Sequence, residues 1–154
     1  MNYTVTLKPS NWRTFLSTSP HKLGFRDRMG SVLKKVKVGD RIVVYVAEEV
    51  AWGGVFKVTR DAYLAEQSAY GEHSPYKLTL ETEEIVCTRS KQMLSIKTEP
   101  LFSRIERFRY ANHQASGWIY GTGLVGTLVS INDRDTDLII RAISEFNANK
   151  LVSA

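Results

Sequence analysis

The segment Arg41–Val46 reads RIVVYV and is apolar on both faces of an extended chain. A half-exposed strand alternates, so a run like this belongs in the middle of a sheet, covered on both sides. Its surroundings fix the local topology. A Gly39-Asp40 turn precedes it, and an acidic turn at Glu48-Glu49 leads to a second apolar run, Trp52–Thr59, which reads as its hairpin partner. Gly53-Gly54 sits inside that partner, where glycine weakens a strand and marks a bulge, a barrel corner or a close ligand approach.

The remaining elements follow from periodicity. Tyr3–Leu7 alternates and reads as a first strand. Pro9 suits the first turn of a helix, and Asn11–Leu16 places Trp12, Phe15 and Leu16 on one helical face. Ser17–Arg28, with Pro20 and Gly24 as breakers, reads as loop, and Ser31–Val36 as a short basic helix. Asp61–Ser74 has no clear period and reads as loop. Tyr76–Glu81 alternates as a strand that Glu84–Thr88 continues or restarts. Leu101–Phe108 reads as a short helix and Trp118–Tyr120 as a short strand. The last helix is capped by Asn132 or Asp133, with Leu138, Ala142, Ile143 and Phe146 as its buried stripe. The sum is one α+β domain over residues 1–154: a twisted, partly closed β-barrel of five to six strands flanked by helices.

The net charge of +5 is unevenly spread. Residues 1–60 hold eleven Lys/Arg against four Asp/Glu, a balance of +7, while residues 61–99 hold four against seven. A basic first third suits an anionic, phosphate-bearing partner. One cysteine, Cys87, allows no internal disulfide and reads as a strand or strand-end residue. No apolar run approaches the ~20 residues of a membrane span, and the first residues lack a signal-peptide pattern. The expectation is a cytoplasmic protein without membrane contact.

No enzyme signature is present. There is no phosphate-binding glycine loop and no HExxH, and His21, His73 and His113 have no Cys or carboxylate at ligand spacing. Asp133, Asp135 and Asp137 point in different directions on a helix, and the helix dipole explains them. No metal or cofactor is expected. The aromatic residues say more. Phe15, Phe56, Tyr76 and Trp12 lie on periodic faces and read as packing. Phe25, Tyr63 and Tyr70 sit in polar loops near Arg26, Arg28 and Gly71, a setting for base stacking. Trp52 and Trp118 border glycines and read as either core or site.

The order of these segments resembles the EVE domain family of the PUA-like superfamily, which is related to the YTH readers. Lys8 to Trp12 after the first strand, Leu23-Gly24-Phe25, and Lys37-Val38-Gly39-Asp40 before Ile42–Tyr45 carry the likeness. Val55–Val58 with Tyr63 adds to it, and Pro75–Leu80 and Gly117–Gly121 are looser matches. The resemblance implies a reader of a methylated or hydroxymethylated base flipped out of nucleic acid, DNA favoured and RNA possible. An effector nuclease, fused or separate, is a possible partner, as in modification-dependent restriction systems. It implies base contacts by Asn11, an aromatic cage from Leu23, Gly24, Phe25 and Arg26 and from the Tyr63–Tyr70 loop, and phosphate contacts by Lys8 and Arg134; Arg28, beside the loop aromatics, joins the phosphate-binding candidates. Trp52 and Trp118 complete the candidate set. Leu23 stands where a tryptophan is frequent, so Phe25 has to supply that wall. The alternatives from other classes are an RNA-binding, RNA-modification or RNA-processing protein of PUA-like fold, and a protein-interaction domain with a filled pocket.

Overall fold

The structure, a computed structural model, describes residues 1–71, 74–88, 93–105 and 127–153. Its centre is the strand β3 (Arg41–Val46), paired antiparallel with β4 (Ala51–Val58) and parallel with β1 (Asn2–Leu7). Outward from β4 come β6 (Leu78–Cys87) and β2 (His21–Phe25), and outward from β1 comes β8 (Thr127–Ile131). This gives a curled, mixed half-barrel in the order β2-β6-β4-β3-β1-β8. Two two-residue strands hang off it, β5 (Tyr63–Leu64) on β6 and β7 (Leu94–Ser95) on β4. The α-helices among the described residues are α1 (Pro9–Ser17), α2 (Gly30–Leu33), α3 (Leu101–Arg104) and α4 (Asp133–Ser153).

The sheet has a core on each face. Ile42, Val44 and Val46 join Trp12, Phe15, Phe56 and Leu33 on the side of α1 and α2. Val43 and Tyr45 join Trp52, Val55, Ile139 and Ile143 on the side of α4. The double-sided pattern of β3 is thus explained by a layer of helix on either side. Asn132 caps α4 by accepting the Asp135 N–H at 2.7 Å. Of the acidic first turn, Asp135 is fully buried, while Asp133 and Asp137 reach back to Arg41 on β3 at 3.4 and 2.7 Å. Asn2 also donates to Asp133, and that hydrogen bond, with Arg41, holds its carboxyl below the ordinary carboxylate range. Arg41 therefore fastens the last helix to the sheet, a role beyond the helix dipole.

Several boundaries differ from the sequence reading. The loop assigned to Ser17–Arg28 contains β2, whose alternation Leu23/Phe25 is masked by Gly24 and whose partner β6 lies far along the chain. Tyr63–Leu64 is a strand, not loop. The strand at Tyr76 begins only at Leu78 and then runs unbroken to the buried Cys87. Helix α2 stops at Leu33, with the residues to Val36 in tight turns, and α3 stops at Arg104. Residues 106–108 of that expected helix and the Trp118–Tyr120 strand lie outside the described residues.

Gly53 is the extra residue of a β-bulge, because Val44 pairs with Gly54 and Tyr45 with Trp52. A Cβ there would lie 2.8 Å from the Trp12 ring, and one on Gly54 2.6 Å from the Val86 carbonyl. The glycines admit protein neighbours, not a ligand.

Candidate functional site

Where β1 ends and α1 begins, the sheet edge opens into a cavity of about 390 Å³. Its size is in the ordinary range for small-ligand pockets, roughly 300–1,000 Å³. Three segments build it. The β1–α1 junction brings Lys8 and, one helical turn on, Asn11. The end of β2 and the turn after it bring Gly24, Phe25, Arg26 and Arg28. The connection into β6 brings Tyr70 and Tyr76. Parallel pairing of β1 with β3 forces the chain to cross over between them, and that crossover carries the first two segments to one end of the sheet.

The Asn11 amide makes no hydrogen bond among the described residues, so its two donors and its acceptor are free. The Gly24 N–H donates to the Tyr70 hydroxyl at 3.0 Å. Burial pushes the Tyr70 phenol well above its ordinary value, with the Gly24 N–H opposing and Tyr76 adding to the shift, so the hydroxyl keeps its proton. Having accepted one hydrogen bond, it can still donate. Tyr70 and Tyr76 meet edge to face at 5.4 Å, and the Arg26 guanidinium lies 5.5 Å from the Tyr76 ring centre. Lys8, Arg26 and Arg28 rim the cavity, and among the described residues no carboxylate lines it.

Seven of the residues expected at the site meet here: Lys8, Asn11, Gly24, Phe25, Arg26, Arg28 and Tyr70. Phe25 is 2% exposed and belongs to the core, so it forms a floor, not a free stacking wall. Leu23 alternates away from Gly24 and is fully buried. Trp52 is also fully buried, in the core on the α4 side of the sheet, where no ligand can stack on it. Tyr63 lies off the cavity: it donates to Glu81, and Arg60 stacks on its ring at 4.1 Å. Arg134 turns to α3, donating to the Arg104 carbonyl at 3.0 Å and lying 3.6 Å from Asp135. Trp118 lies outside the described residues. Tyr76 was assigned to packing and is the aromatic that the sequence reading missed. It precedes the strand, and its signal is the Pro75 beside it, which breaks the alternation.

Solved structures share the fold of the whole domain. The Mmi1 YTH domain, solved in complex with RNA, superposes with a TM-score of 0.63 over 97% of this chain and 82% of that one, at 8% identity. Human THYN1, in complex with DNA containing 5-methylcytosine, gives 0.52 over 92% and 96%, at 14% identity. Rpa0253 of Rhodopseudomonas palustris gives 0.55 over 93% and 92%, at 14% identity. The chain has the PUA-like fold of the EVE and YTH domains. No family sequence model matches it, and no curated protein sequence does. Within this PUA-like frame the half-barrel supplies the rigid support and the connections at its edge supply the cavity. Among the described residues, no three His, Cys, Asp or Glu are grouped to hold a metal, and no helix is long and apolar enough to cross a membrane.

Proposed function

We propose that this domain binds nucleic acid by taking one flipped base into the cavity beside Asn11, with a methylated or hydroxymethylated base preferred and DNA favoured over RNA. The observation that carries the reading is the uncommitted Asn11 amide in a cavity rimmed by Lys8, Arg26 and Arg28 with no carboxylate among the described residues. An amide can pair with a Watson–Crick edge, and the cations suit the phosphates on either side. Extruding a base costs a few kcal/mol, least where it is mispaired or single-stranded. Stacking on Tyr70 or Tyr76 offsets this by roughly 1–3 kcal/mol. Burying one methyl group adds only about 0.8 kcal/mol, so strong preference for a modified base requires that the plain base leave a polar group unsatisfied. The proposal stops at binding. An effector nuclease has no support in the geometry, and no catalytic group is assigned.

The roles separate in a mutational test. Asn11→Ala removes a base-edge contact and is expected to weaken binding of a modified oligonucleotide by about 1–3 kcal/mol while sparing the plain one more. Lys8→Ala is expected to weaken both by the same factor, because phosphate contacts carry no base information. Fluorescence anisotropy at one fixed salt concentration, on matched DNA and RNA oligonucleotides, reads both effects and the DNA–RNA preference. Equal losses on modified and plain strands for Asn11→Ala would remove the base from the cavity and favour an interaction domain.

A further inference from the structure

A second crevice, of about 250 Å³, lies along α2. Its apolar lining is Leu33, Val36, Ala62 and Leu78, and Lys34 and Lys37 stand over it. No described residue lines both cavities, but their walls are neighbours along the chain. Met29 lines the first and Gly30 the second, on one turn of chain. Tyr76 lines the first and Leu78 the second, and Leu78 pairs with Phe25 across the β2–β6 ladder.

The charges along this path are free. Among the described residues, Lys34, Lys35 and Lys37 enter no ion pair. The Lys37 ammonium has only the Lys34 carbonyl, at 3.3 Å. Elsewhere on the sheet Arg41, Lys57 and Arg60 are tied to Asp137, Glu83 and Glu81 at 2.7, 2.9 and 3.4 Å. From Arg26 to Lys37 the chain carries five cations against one carboxylate, Asp27, and the crevice itself adds Asp61. Lysines without ion pairs beside an apolar slot, whose walls adjoin those of a cation-rimmed cavity, match an anionic ligand with an apolar part.

We propose that this crevice is a second nucleotide subsite. It takes a neighbouring nucleotide of the strand whose base enters the first cavity, with Lys34 and Lys37 on its phosphate and the slot against its sugar and base. The inference rests on the reading of the first cavity as a base site. Its consequence is directional: only the part of the strand on one side of the flipped base runs along α2.

The test uses the whole chain and single-stranded 12-mers with one central modified base, beside plain 12-mers of the same sequence. Both lysines are exposed, so a Lys34→Gln/Lys37→Gln variant retains the fold, checked by its melting curve. It is expected to bind both 12-mers roughly tenfold more weakly at low salt, with the log–log salt slope shallower by about 1.4 and the modified-to-plain ratio unchanged. Shortening the strand on one side of the modified base should abolish the variant's deficit, and shortening it on the other side should not. Affinity and slope equal to wild type would overturn the subsite. So would a deficit that survives trimming on either side, which marks diffuse attraction. A wild-type protein that binds modified and plain strands alike would instead overturn the base-site reading, whatever the variant does.

Discussion

Raising salt from about 50 to about 200 mM should weaken nucleic-acid binding roughly 20-fold for a single strand and roughly 40-fold for a duplex. The figures follow from three phosphate contacts, those of Lys8, Arg26 and Arg28 at the cavity rim. Each displaces condensed counterions, so the affinity falls by about 0.7 to 0.9 powers of salt per contact over this fourfold change. Among the described residues no carboxylate lines the cavity to compensate them, which makes the dependence steep for a small domain. Engagement of Lys34 and Lys37 would steepen it further. A titration series by anisotropy across this range gives the slope directly, and an affinity that stays constant would show that the basic face is not the contact surface.

What the sequence made legible was whatever a local pattern carries. The two-faced run Arg41–Val46 had to be central, and it is sandwiched between both cores. The last helix announced itself by its cap and stripe, although the pattern missed the fully buried Ile139. Elements held by distant partners were hidden. Strand β2 exists because His21–Phe25 pairs with Leu78–Thr82, and Gly24 in its middle looks like a breaker when that partner is out of view. The same limit governs the site. The order of motifs named Lys8, Asn11, Gly24, Arg26, Arg28 and Tyr70, and the fold brings these six to one cavity. It misassigned Trp52, because a glycine neighbour looks alike whether it admits a ligand or, as Gly53 does, the ring of Trp12. It missed Tyr76, which shares the alternation of Leu78 and Leu80 but stands before the strand they belong to. Side-chain direction at the end of a strand depends on where pairing stops, and pairing is set by the partner.

Gly24→Ala should impair the cavity more than any change to its charged rim. A Cβ at this position would lie 2.8 Å from the Tyr76 carbonyl oxygen and 2.9 Å from the Cβ atoms of Ala69 and Tyr76. None of these is the far end of a flexible side chain, so the backbone that carries Tyr70 and Tyr76 has to move. That connection is closed by a hydrogen bond from the Ala69 N–H to the Tyr76 carbonyl at 3.0 Å, and it is tied to β2 by the Gly24 N–H on the Tyr70 hydroxyl. Displacing it shifts both aromatic walls and the hydroxyl together. Overpacking of this kind costs about 1–3 kcal/mol of stability. The binding loss should exceed tenfold, about 1.4 kcal/mol, since both stacking faces leave their places. Gly30→Ala is the matched control: it lies in α2, and a Cβ there meets nothing within 4 Å. Because Gly30 lines the α2 crevice, it is a control for stability and not for binding along α2: at its helical φ of −56° alanine should raise stability by about 0.4–1 kcal/mol. Thermal melts on the two variants, side by side, and anisotropy on Gly24→Ala decide the matter. If Gly24→Ala binds as the wild type does, Tyr70 and Tyr76 are not the walls that hold the ligand.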